Sequence, residues 1–112
     1  MEQWKQDAFN HAVECQPFEC CGILAKNNGK LEFWKCKNIA KDNPEYSFVI
    51  DPLDWALCED SVEEIVGIIH SHPEGKFEFS ENDIASCNYL DIPFYLVDPT
   101  TQSIINIEPK KL

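Results

Sequence analysis

The sequence predicts a single α/β (α+β) domain in which helices flank a mixed β-sheet. Three observations predict it. The 112 residues fill about one small domain, and helical and extended apolar patterns alternate along the chain. Ile65, Val66, Ile68 and Ile69 form an unbroken apolar strand pattern around Gly67, as in a central strand covered on both faces.

Each element has its own local reason. Trp4, Ala8, Phe9, Ala12 and Val13 recur at helical spacing, with Lys5, Gln6, Asn10 and Glu14 on the other side, and Pro17 ends the helix. Residues 21–25 are short and apolar, Asn27-Asn28-Gly29 is a turn signal, and Leu31, Phe33 and Trp34 open a second extended run, which together predict a β-hairpin. That hairpin brings Glu19 to the start of its first strand. Residues 46–50 predict a further strand. Asp51 as N-cap and Pro52 at the first helical position start a short helix through Trp55 and Leu57. The 65–69 strand runs into His70-Ser71-His72-Pro73, and Pro73 and Gly75 make 74–79 a loop. Ser80, with Asp83 in the capping-box position, opens a helix carrying Ile84, Ala85, Cys87 and Leu90. Residues 93–97 and 103–107 close the domain as a second hairpin, and 109–112 are expected to fray.

Composition narrows the function. The chain is 44% hydrophobic and 26% charged, the balance of a folded domain. Twenty acidic residues against nine basic ones give a net charge of −11, a field that repels nucleic acid and anionic membrane surfaces and favours a basic partner. No apolar run approaches the ~20 residues of a bilayer span, and residues 1–7 lack the basic-then-apolar order of a secretory signal, so a cytoplasmic protein is expected. The six cysteines then read as reduced, buried thiols. None forms a Cys-x-x-Cys pair, which leaves zinc-ribbon and thioredoxin readings without support.

The residues with chemistry converge on one place. In an extended segment, positions i and i+2 project from the same face, so His70 and His72 can address one ion. Asp83, on the first turn of the following helix, supplies a third group. Two imidazoles and a carboxylate suit a catalytic zinc with a fourth position open to water, and Glu19 is the candidate base. Each residue also has a simpler use: Asp83 as a favoured charge at a helix start, Ser80 as an N-cap, Glu19 as a charge beside a strand. The chain has no His-Glu-x-x-His and no Pro-Cys-x-x-Cys, the marks of thermolysin-type peptidases and zinc deaminases.

His70-Ser71-His72, seven residues, Ser80, two residues and Asp83 together resemble the signature of the JAMM/MPN+ metallopeptidases, and Glu19-Cys20-Cys21-Gly22 resembles their upstream Glu-x-x-Gly. The stretches at 17–22, 36–38, 51–52 and 66–73 are similar to the N-terminal domain of the phage tail assembly protein K family. The resemblance implies a three-layer, cytidine-deaminase-like fold and a Zn2+-dependent peptidase or isopeptidase. It implies His70, His72 and Asp83 as metal ligands, Glu19 as catalytic base and Ser80 as hydrogen-bond donor to the oxyanion, with Ser71 orienting the site. The implied partner is a protein substrate, a ubiquitin-like (β-grasp) or phage tail protein lying between the Glu19 strand and the 73–79 loop. In a phage, the location would be the host cytoplasm. In the protein K family a cell-wall peptidase domain commonly follows; the 112 residues here are expected to form the JAMM domain alone. The competing expectation is an MPN-type scaffold that docks partners without catalysis.

Overall fold

A computed structural model describes residues 2–110. Its elements are α1 (Gln3–Cys15), β1 (Cys21–Asn27), β2 (Lys30–Cys36), α2 (Pro52–Ser61), β3 (Glu64–Ser71), α3 (Glu81–Leu90), β4 (Phe94–Asp98) and β5 (Ser103–Ile107). The five strands form one sheet in the order β2-β1-β3-β4-β5. Among the described residues only the β3–β4 pair is parallel. A parallel pair needs a crossover connection. Here that connection is the 72–80 loop and α3, which places the loop and a helix N-terminus at the carboxyl end of the central strand.

Both sheet faces are covered, as the apolar 65–69 run requires. On one side Trp4, Ala8, Phe9 and Ala12 of α1 pack on Cys20, Leu24, Ile69 and Val97. On the other, Cys58 of α2 closes over Cys21, Ile23 and Ala25, and Cys87 of α3 closes over Ile68 and Phe94. All six cysteines are free thiols, and five are buried. Burial pushes Cys20 and Cys36 up to about 12 and Cys58 up to about 11, so they stay protonated small hydrophobes. Gly22 is required by close approach: a Cβ there would meet the Phe33 ring and come within 2.7 Å of the Trp34 carbonyl oxygen. Among the described residues, no helix is long and apolar enough to cross a membrane.

One local expectation needs correction. Residues 46–50 are not a strand, because Tyr46 lies in a turn and only Ile50 reaches a ladder, through a single bridge to Asn38. Around that bridge the Val49 carbonyl accepts from the Ile39 N–H, but elsewhere side chains take backbone groups that a strand would pair. Asn38 accepts the Val49 N–H and donates to the Ser47 carbonyl, while Ser47 Oγ donates to Asp42 and Asn43 carbonyls. On α3, Cys87 and Asp83 are the buried residues, whereas Ile84 and Leu90 are exposed. Of the end expected to fray, Pro109 and Lys110 belong to no element, and 111–112 lie outside the described residues.

Candidate metal centre

The centre is built where β3 ends and α3 begins. β3 carries His70 fully buried on the α2/α3 side of the sheet, and His72 follows two residues on, just past the strand end. The α3 cap delivers Asp83. Ser80 Oγ accepts from the Asp83 N–H at 3.0 Å, and the Ser80 N–H donates to Asp83 Oδ2 at 3.0 Å, a complete capping box. The same Oδ2 lies 3.2 Å from His70 Nε2 and 3.1 Å from His72 Nε2. One potential ligand atom from each of His70, His72 and Asp83 lies within 4.8 Å of the others, a group that can hold a metal ion.

The surroundings set the tautomer of His72 and favour the neutral form of His70. The Lys76 carbonyl can only accept, so the 3.0 Å contact from His72 Nδ1 places a proton there and leaves Nε2 with its lone pair in the neutral ring. His70 stacks on Phe48 with centroids 4.8 Å apart and meets the Phe94 ring edge-on at 5.9 Å. Burial holds its pKa below the ordinary histidine value, which keeps the imidazole neutral and able to ligate. Asp83 Oδ2 and the Tyr95 backbone are close enough to favour the charged ring, yet neither His70 nitrogen has a hydrogen bond of acceptable geometry. An unpartnered nitrogen in a fully buried ring costs free energy. A cation shared with Asp83 and His72 removes that cost, so the residues fit a metal.

Charge at the other groups follows from the same packing. Burial alone would raise Asp83, but the two imidazoles and the Ser80 N–H outweigh it and hold the carboxyl well below the usual carboxylate range. Burial alone would lower His72, and Asp83, the Lys76 carbonyl and Glu19 together raise it instead.

Glu19 sits two residues before β1, buried, with Oε2 4.0 Å from His72 Nε2. It faces the centre without joining the three-residue cluster. Burial pushes it up to about 7, Asp83 adding to the rise and His72 opposing it. Its backbone is clamped on both sides: the N–H donates to the Pro44 carbonyl at 2.8 Å and its own carbonyl accepts from Asn38 Nδ2 at 3.1 Å. The next residue is tied to β3, since the Cys20 N–H donates to Ser71 Oγ at 2.9 Å. Ser71 therefore orients the Glu19 segment against the histidine strand. Ser80 is exposed, and its Oγ accepts the cap bond while its hydroxyl proton remains available. The two loop phenylalanines divide: Phe79 packs 6.0 Å from the His70 ring, and Phe77 is exposed. The third histidine, His11, is buried beneath β2 against the Cys36 carbonyl, away from the centre.

Asn38 is the residue that sequence reasoning did not single out. Its Nδ2 donates to the carbonyls of Glu19, Pro44 and Ser47, and its Oδ1 accepts from the N–H groups of Ala40 and Val49. It lies in the 36–38 stretch that carries part of the family resemblance, but the sequence gives that asparagine no role of its own. We expect Asn38→Ala to lower stability by about 1–3 kcal/mol, the cost of leaving such carbonyls unpaired. Metal content should stay unchanged. Denaturant unfolding beside elemental analysis checks this, and loss of metal would contradict it.

A mixed sheet with helices on both faces and a His-His-Asp cluster at the end of its central strand defines the class: an α+β domain of JAB/MPN type. The sequence profile described as prokaryotic homologs of the JAB domain matches residues 1–106, and the chain belongs to that family. The chain is 32% identical over 100 residues to tail tip assembly protein K of Escherichia phage N15. That match covers 89% of this chain but 40% of the phage protein, so the chain spans well under half the length of its relative. The solution structure of protein DSY2949 from Desulfitobacterium hafniense has a similar fold, with a TM-score of 0.69 at 17% identity over 95% of this chain and 78% of that one. A JAB1/MPN domain protein from Archaeoglobus fulgidus matches with a TM-score of 0.58 at 18% identity, covering 96% and 89%.

Proposed function

We propose that this chain is a zinc-dependent metallopeptidase or isopeptidase of the JAMM type. One observation carries the reading. Three potential ligand atoms converge, while a separate buried carboxylate, Glu19, stands beside them with its Oε2 4.0 Å from His72 Nε2. His70, His72 and Asp83 would hold the ion, and a set of three leaves a coordination position open, as catalytic zinc requires. When bound, zinc makes a water acidic near neutrality and acts as a Lewis acid toward the scissile carbonyl.

The chain's own residues do the rest. Glu19 takes the proton of the attacking water as the new C–O bond forms, then delivers it to the leaving nitrogen as the C–N bond breaks. A carboxyl pushed up to about 7 is suited to both transfers at neutral pH. The Ser80 hydroxyl donates its free proton to the developing oxyanion.

The likeness to a tail tip assembly protein points the substrate reading toward phage tails. The substrate is then a ubiquitin-like tail protein, or its extended C-terminal segment, entering between Glu19 and the 73–79 loop in the host cytoplasm. The net charge of −11 favours a basic partner and opposes nucleic acid and membrane surfaces. A scaffold without catalysis is the second reading, favoured by the word assembly in the relative's name. Incubating zinc-loaded protein with candidate tail proteins and weighing the products separates the two. Two fragments whose masses sum to the substrate plus one water support hydrolysis; a stable complex with intact substrate supports the scaffold.

A further inference from the structure

We propose that the apolar cavity beside Glu19 is a subsite for a large apolar or aromatic side chain next to the scissile bond. The protein would then cut beside a bulky residue rather than within a run of glycines. This inference rests on the peptidase reading and adds the substrate's side-chain chemistry.

The cavity has a volume of about 340 Å3 and lies between the 46–50 segment, α2 and α3. Ile68 and Phe94, both fully buried, floor it, and Phe48 and Trp55 wall it. Glu19, Ser80 and Asp83 also line it, so the apolar space is continuous with the candidate chemistry. Its size stands at the small end for ligand pockets, which suits one side chain better than a large ligand. Glycine would leave the apolar walls without contact partners, forfeiting the attraction that a filled cavity gains.

The space is held open by construction. The hydrogen bonds of Asn38 to Ser47 and Val49, and of Ser47 Oγ to the Asp42 and Asn43 carbonyls, fix the 46–50 segment and keep it from collapsing onto α3. Large apolar residues stand exposed at the mouth: Tyr46 at 65%, Val49 at 52% and Leu90 at 46%. A mouth of that kind beside a catalytic-type centre marks a surface that takes an apolar group from a partner.

Two readouts test the proposal. In the first, metal-free protein is titrated with N-acetylphenylalaninamide or N-acetylglycinamide and followed by NMR. Saturable shifts at the Trp55 indole and Ile68 methyls are expected with the phenylalanine compound alone. In the second, zinc-loaded protein is given a mixture of denatured proteins and the new termini are sequenced. We expect a large apolar residue to be preferred over glycine at one flanking position by at least about 10-fold, since a single methylene in an apolar pocket is worth about 10–200-fold. Ser86→Phe and Leu90→Trp, two separate plugs in the lining outside the proposed machinery, should each bring that ratio toward one while cleavage at small residues persists. Two variants guard against one failing to fold. Cleavage with no apolar preference, or equal shifts from both compounds, overturns the subsite and leaves the peptidase reading standing. Absence of all cleavage, with selective phenylalanine binding intact, overturns the peptidase reading and the subsite with it.

Discussion

Glu19→Gln is expected to keep its metal and lose about 10²–10⁴-fold in hydrolysis, the usual contribution of a positioned general base. The substitution retains the shape of the side chain, its burial and the two backbone clamps from Pro44 and Asn38. It removes only the ability to take a proton. Because Glu19 stands outside the His70, His72 and Asp83 group, elemental analysis should find the same metal content as in wild type. Loss of metal in this variant would make Glu19 a ligand and contradict its role as base. The same variant carries a pH signature in the metal-free protein. The folded carboxyl, pushed up from 4.5 to about 7, binds a proton that the unfolded chain has released between those values. Folding stability from this group therefore falls as pH rises through that window. Glu19→Gln should be more stable than wild type above pH 7, with the advantage closing toward pH 4.5. Denaturant midpoints across that range measure it.

Asp83→Ala is expected to lose both metal and stability, and Ser80→Ala separates the two effects. Asp83 Oδ2 has two jobs: it lies against both imidazoles, at 3.2 and 3.1 Å, and accepts the Ser80 N–H that starts α3. Ser80→Ala breaks the cap bond to the Asp83 N–H, which costs about 0.5–2 kcal/mol, and leaves all three candidate ligands in place. The expected result is a Ser80→Ala protein with wild-type metal content and lowered stability and rate. Asp83→Ala should have a similar cap loss with metal content near zero. If Asp83→Ala held metal as well as Ser80→Ala did, Asp83 would be a helix cap alone.

The legible parts of this protein were those encoded by short-range patterns. The i, i+2 histidines at a buried strand end, the Ser80–Asp83 capping box and the Asn-Asn-Gly hairpin each need only a few neighbouring residues, and each appears as read. The 46–50 segment misled because apolar alternation reports half-burial, which an irregular strap also has. What decided its state was Asn38, eight or more residues away, whose side chain bonds Ser47 and Val49 where a continued strand ladder would. The cavity beside Glu19 had no sequence signal, since its walls come from α2, β3, α3, β4 and the strap together.

Everything proposed for this protein depends on His70, His72 and Asp83 holding a metal ion. The most direct measurement is elemental analysis of protein purified without added zinc, for wild type and for His70→Ala/His72→Ala. Wild type is expected to carry about one zinc per chain and the double variant none. A folded wild type that takes up no zinc even when supplied, or a double variant that retains it, would contradict the centre.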